Sequence, residues 1–166
     1  MNATLSAALD AGEATVRPEW IDYNGHMNVA YYVLAIDNAL DRVFDALGVG
    51  EAWVKRTNMS FFVAEAHVTY AREVKEGDRL RFSFQMLGMD AKRLHYFMTM
   101  HHAQEGFLSA TSEQIALHVD LGARKSAEMA GDVRERFEAL MAGHRGLPVP
   151  PQAGRVIGIR RTGAAA

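Results

Sequence analysis

Asp22-Tyr23-Asn24-Gly25-His26-Met27-Asn28, followed by VAYYVLAIDNALDRVFDAL over residues 29–47, is the stretch on which the fold turns. The first seven residues are dense in Asp, Asn and Gly and read as a loop. Asn28 is a good N-cap, and one long helix is expected from Val29 to Leu47. Tyr32, Ile36, Ala39, Leu40, Val43, Phe44 and Leu47 recur at spacings of three and four, which is one wide apolar face. Asp37, Asp41 and Asp45 fall on another face, and Gly48 suits the position just past the helix end. An apolar face this wide needs a sheet to cover it.

Upstream, residues 1–12 read as a loose or short helical lead-in, and Ala14 to Arg17 as a strand stopped by Pro18. Downstream the chain is strand-rich. Runs at Met59–Tyr70, Arg79–Leu87, Arg93–His102 and Phe107–Val119 are separated by turns such as Glu76-Gly77-Asp78 and Gln104-Glu105-Gly106. Leu80, Phe82, Phe84 and Met86 alternate onto one face of the second run. Three hairpin-like joins in succession predict an antiparallel meander. Asp132 to Ala142 reads as a second, shorter helix, broken by Leu147-Pro148-Val149-Pro150-Pro151. The basic segment after it, with Arg155, Arg160 and Arg161, is read as a tail whose Val156-Ile157 could form a short edge strand. The expected class is α+β, a curved antiparallel sheet wrapped around one long central helix. The domain is placed at 1–145 and the tail at 146–166.

The 166 residues fit one domain, and 49% hydrophobic with 23% charged residues is the balance of a globular protein. No cysteine is present, which excludes disulfides, thiolate metal sites and a cysteine nucleophile. The net charge of −2 and scattered Lys and Arg argue against a nucleic-acid surface. No basic leader or membrane-length apolar run is visible, so no membrane association and a cytoplasmic location are expected. The serine-hydrolase elbow, the phosphate loop and the dinucleotide glycine fingerprint are missing. His101 and His102 are adjacent on a strand and face opposite ways, so no metal and no bound cofactor are expected.

The element order, together with Asp22, Gly25, His26 and Asn28 in the spacing Asp, two residues, Gly-His, one residue, Asn, resembles the hotdog-fold thioesterases of the 4-hydroxybenzoyl-CoA type. The resemblance spans roughly residues 14–125. Many members carry a second Asp two residues earlier, and this chain has Trp20 there. A narrower likeness, to the betainyl-CoA thioesterases of carnitine breakdown, rests on Pro18-Glu19-Trp20-Ile21-Asp22-Tyr23-Asn24-Gly25-His26, on Lys92-Arg93-Leu94-His95 and on Ser112-Glu113-Gln114 with His118-Val119-Asp120-Leu121.

The resemblance implies an acyl-CoA substrate, with coenzyme A entering only as part of it. It also implies a homodimer, or a homotetramer of paired dimers, with sites at the subunit interface. Asp22 is then the catalytic carboxylate, either as nucleophile or as general base. By itself an Asp in such a loop more often caps a turn. The oxyanion donor is expected from the backbone N–H of Val29 or Asn28, where free amides and the positive helix end point. Gly25 would allow close backbone approach. His26 could orient Asp22, bond the loop or touch substrate. A cationic acyl group would call for aromatic faces, for which Trp20, Tyr23, Trp53, Phe61 and Phe62 are candidates beside ordinary core packing. Glu65, with Glu113 of similar status, is a second carboxylate of interest, although alternation puts it on a solvent face. Lys92 and Arg93, then Arg124 and Lys125, could meet the CoA phosphates, with Arg72 and Lys75 weaker. The rival activities are an acyl-CoA hydratase or dehydratase on the same fold and a non-catalytic acyl-CoA-binding module.

Overall fold

The computed structural model describes residues 7–159. Five main strands, β1 (Leu9–Thr15), β2 (Met59–Tyr70), β3 (Arg79–Met89), β4 (Arg93–His102) and β5 (Leu108–Asp120), form one antiparallel sheet in the order β1-β3-β4-β5-β2. A two-residue strand, β6 (Lys125–Ser126), adds to β5. The long helix α1 (Val29–Ala46) lies in the concave face, with α2 (Glu51–Thr57) after it and α3 (Gly131–His144) near the end. This is the α+β class, a sheet wrapped around one long helix, that the helix periodicity and strand runs predict, and the hotdog arrangement that the family resemblance implies.

The wrap is driven by burial. Tyr32, Ala35, Ile36, Ala39, Leu40, Val43 and Phe44 form the buried stripe of α1. They meet Leu80, Phe82, Phe84 and Met86 of β3 and Leu94, Tyr96, Met98 and Met100 of β4, each at most 1% exposed among those eight. Full burial of each such side chain is worth roughly 1.5–3 kcal/mol. Phe84 stacks on Tyr96, and Phe44 packs edge-on against both Tyr96 and Phe137 of α3.

Several expectations are corrected. The lead-in is a strand: Leu9–Thr15 pairs with β3, and a bulge between Asp10 and Glu13 disrupts the alternation that would have marked it. The meander is incomplete. The chain does not turn back from β2 onto β3; β2 pairs with β5 at the far edge, with Phe62 opposite Leu117 and Tyr70 opposite Ala110. The segment 71–78 is therefore a crossover between the two sides of the sheet. The seven-residue α2, which buries Trp53, is an element without a sequence forecast. Val156 and Ile157 form no strand and are 92% and 84% exposed. Arg160 and Arg161 lie outside the described residues. The preceding segment is fastened to the outer face of the sheet: the Gln85 side chain donates to the Pro148 carbonyl, and the Gly154 N–H donates to Glu113. Glu113 also holds His95 at 2.8 Å.

Candidate active site

The loop before α1 is tied down by backbone hydrogen bonds, within itself and to the crossover. Asp22 N–H donates to the His26 carbonyl, Gly25 N–H to the Asp22 carbonyl, and Met27 N–H to the Val74 carbonyl. Gly25 sits at φ +79° with no atom near its would-be Cβ, so the turn's handedness demands glycine there, with no crowding involved. Asp22 is held by one bond, its Oδ1 accepting from Asn24 N–H at 2.8 Å, and its side chain is 15% exposed. His26 Nδ1 lies 4.0 Å from Asp22 Oδ1 and donates weakly to the Met27 carbonyl at 3.3 Å. His26 therefore braces the loop.

The helix start resolves which amide is free. Asn28 N–H is spent on the Trp20 carbonyl at 2.8 Å. The Asn28 side chain caps Ala30 N–H at 3.0 Å, and Tyr31 N–H bonds the Asn28 carbonyl. Val29 N–H has no acceptor among the described residues. Of the two expected donors, Val29 is thus the open one, at the positive end of an 18-residue helix.

Asp22, Tyr23, His26, Asn28 and Val29 line one cleft of about 440 Å³. Its other wall comes from the crossover and the end of β2: Tyr70, Ala71, Arg72 and Glu73, with Tyr32 beneath. Sequence reasoning missed this wall, apart from Arg72 as a weak phosphate candidate. Tyr70 and Glu73 lie about fifty residues from the motif, and only the crossover, bonded through Val74 to Met27 and Tyr32, brings them in.

The remaining candidates lie elsewhere. Trp20 is 5% exposed and stacked on Tyr31, with the Arg17 guanidinium 5.4 Å from its ring centroid. Trp53 is 6% exposed and stacked on Phe61 beside His118. Both tryptophans are core residues in this chain, which corrects their reading as cage walls. Glu65 is exposed on the edge strand, away from the cleft, next to the bulge between Val63 and Glu65. Lys92 and Arg93 line a separate hollow of about 410 Å³ with Asp90 and Ser126, and Arg93 pairs with Leu117, seven residues along β5 from the partner of Tyr70. Arg93 is also ion-paired with Asp90, and that guanidinium holds the Asp90 carboxyl down to about 2. Among the described residues no group of three His, Asp or Glu side chains is placed to hold a metal ion.

A second cleft, about 420 Å³, lies near the other end of α1 and carries Asp37, Asp41, Asp45 and Glu51. Burial and then its neighbours Asp37 and Asp45 push the Asp41 carboxyl up. Four carboxylates make that cleft hostile to an anionic CoA thioester. The Asp22 cleft pairs a carboxylate, a potential nucleophile or base, with an open helix amide, a potential oxyanion donor.

Comparison with known proteins gives the family. Residues 16–137 match the thioesterase-like superfamily model. The chain belongs to the thioesterase-like superfamily. It is 41% identical over 155 residues to a betainyl-CoA thioesterase of Pseudomonas aeruginosa, covering 93% of this chain and 98% of that one. It is 35% identical to the bifunctional L-carnitine dehydrogenase/betainyl-CoA thioesterase of Rhizobium meliloti, of which it spans 32%. A Staphylococcus aureus protein solved in complex with CoA superposes with a TM-score of 0.87 at 25% identity, covering 96% of this chain and all of that one. The chain is a thioester hydrolase on a hotdog fold. Among the described residues no helix is long and apolar enough to cross a membrane.

Proposed function

We propose that this thioesterase hydrolyses the CoA thioester of a small acyl group, betainyl-CoA first among them, at the Asp22 cleft. The observation that carries the reading is the pairing of Asp22 with the unsatisfied Val29 N–H in one cleft. The thioester carbonyl oxygen is placed on Val29 N–H, where the developing oxyanion meets the helix dipole. Asp22 then acts in one of two ways. As nucleophile, its carboxylate bonds the carbonyl carbon, the C–S bond breaks, CoA leaves as thiolate, and water opens the mixed anhydride. As general base, it takes a proton from the water that attacks directly. His26 and Gly25 keep the loop in shape, and Asn28 caps the helix. The 41% identical relative supports betainyl-CoA as the substrate, and the CoA-bound neighbour supports recognition of the CoA moiety.

A homodimer completes the site in this reading. Edge strand β2 is 12 residues long, with Phe62, Val63 and Tyr70 exposed, and α1 exposes Val29, Val33 and Leu34 beside it. A bare apolar edge of that length asks for a partner. Antiparallel pairing of two copies of β2 about a two-fold axis sets the Tyr70 end of one against the Met59 end of the other. Lys92 and Arg93 of a second copy would then approach the Asp22 cleft and could meet CoA phosphates. Pairing of two such dimers into a homotetramer is compatible with this. One hotdog domain through residue 145 and a tail over 146–166 remain our division of the chain, and a CoA substrate is consistent with cytoplasmic work.

Release of free CoA from betainyl-, acetyl-, 4-hydroxybenzoyl- and long-chain acyl-CoA tests the reading. Preferential release from betainyl-CoA is expected. Preference for another acyl group would remove the betaine assignment and keep the hydrolase. Release from none would overturn the proposal in favour of a binding module.

A further inference from the structure

The acyl group of betainyl-CoA carries a permanent cation, a trimethylammonium one methylene from the thioester carbonyl. It has no N–H to donate, so hydrogen bonds cannot hold it. Aromatic rings with a carboxylate nearby can. The tryptophans are buried away from the Asp22 cleft, yet the cleft has its own aromatic wall. Tyr70, 48% exposed at the end of β2, meets Tyr32 edge to face with centroids 5.2 Å apart and planes at 84°. Tyr32 is fixed beneath it: its ring is buried and its hydroxyl accepts from Val74 N–H at 3.3 Å.

Charge on this wall favours a cation. Glu73 lines the same cleft, and its negative charge is near enough to add to the burial that pushes the Tyr32 phenol up. Burial raises Tyr70 as well, so both rings stay neutral and keep their hydroxyl protons. Lys75 stands outside the cleft, 3.9 Å from the Glu73 carboxylate in an exposed ion pair that water screens. Among the described residues Arg72 is the only arginine or lysine lining the cleft. Its guanidinium is drawn aside, 3.9 Å from the Phe107 ring centroid and 3.5 Å from the Glu105 carboxylate. A neutral acyl-CoA would gain nothing from this arrangement of charge.

We infer that Tyr32, Tyr70 and Glu73 form a subsite for the quaternary ammonium of a cationic acyl group, and so set acyl specificity. The inference rests on the thioesterase reading above and adds the residues that choose the substrate. Tyr23, almost fully exposed at the rim, is placed to close over the same group.

The test compares betainyl-CoA with 3,3-dimethylbutanoyl-CoA, which has the same shape with carbon in place of the charged nitrogen. In the wild-type protein kcat/KM for betainyl-CoA should exceed that for the neutral isostere by about tenfold or more. Tyr70→Leu and Glu73→Gln should each lower that ratio by about 2- to 30-fold, the span of a cation–π or charge contact. Both substrates are measured on one sample, so loss of folded protein cancels in the ratio. An unchanged ratio in both variants, or a wild-type protein that takes the isostere as well as betainyl-CoA, would overturn the subsite while sparing the hydrolase. A wild-type protein that hydrolyses neither would overturn the functional reading itself, and the subsite with it.

Discussion

At its C-terminal end α1 is closed. Leu47 and Gly48 N–H groups return to Val43 and Asp45 carbonyls, and Arg136 of α3 donates to the Leu47 and Gly48 carbonyls at 3.1 and 3.2 Å. Phe137, fully buried, packs its ring against Phe44 and Phe61 just beside that end. At the N-terminal end the same helix is left open: Asn28 caps Ala30, Tyr31 is satisfied, and Val29 N–H is not. An unmade hydrogen bond at a helix end costs stability wherever water is excluded. One end of α1 has been satisfied by neighbouring elements, and the other has been kept available beside a carboxylate. The contrast separates the part of the helix that holds the fold from the part to which the proposed mechanism assigns the chemistry.

That contrast can be broken at either end. Phe137→Ala should lower unfolding free energy by about 3–5 kcal/mol, through lost burial and the cavity left behind. Denaturant unfolding measures this, and kcat per folded molecule should hardly move. Val29→Pro acts at the open end and deletes the amide hydrogen, with a side-chain change at a position that is 55% exposed. Proline suits the first helical position, and Asn28 at φ −65°, ψ 144° already has the backbone that a following proline requires. Stability should stay within about 1 kcal/mol, while kcat falls about 10²–10³-fold through loss of the oxyanion donor. Equal damage to stability from both substitutions would erase the distinction.

The smallest effect is a pH dependence away from the open end, where α3 meets β3. His144, buried at the end of α3, accepts Met86 N–H on Nδ1 at 2.9 Å, and burial lowers its pKa below 6.5. A base with a depressed folded pKa gives stability that is present above the unfolded value and lost as pH falls through the folded one. Thermal midpoints should therefore decline as pH drops below about 6.5 toward that lower value, and His144→Asn should flatten this part of the profile. A decline of the same size in the variant would assign the dependence to another group.

What could be read from sequence follows the reach of each signal. Helix α1, its Asn28 cap, and the loop carrying Asp22 and Gly25 were legible because their bonds join residues two to four apart. The buried face of β3 was legible from alternation. The place of β2 was not, since its pairing with β5 is made across some fifty residues and a hairpin reading costs nothing locally. β1 was hidden by its bulge, and α2 by being only seven residues long. The aromatic choice failed for a related reason. Trp20 lies two residues from Asp22 in sequence but turns into the core, whereas Tyr70 and Glu73 reach the cleft only through the crossover and its bonds to Val74.

The most direct test of the account is steady-state CoA release from betainyl-CoA by Asp22→Asn, with thermal unfolding of the same samples. Asn keeps the size and the bond from Asn24 N–H but can neither attack nor take a proton. The account predicts a fall in kcat of about 10²–10⁴-fold, with an unfolding midpoint close to wild type and CoA binding retained. Turnover near the wild-type rate in a folded Asp22→Asn protein would contradict it.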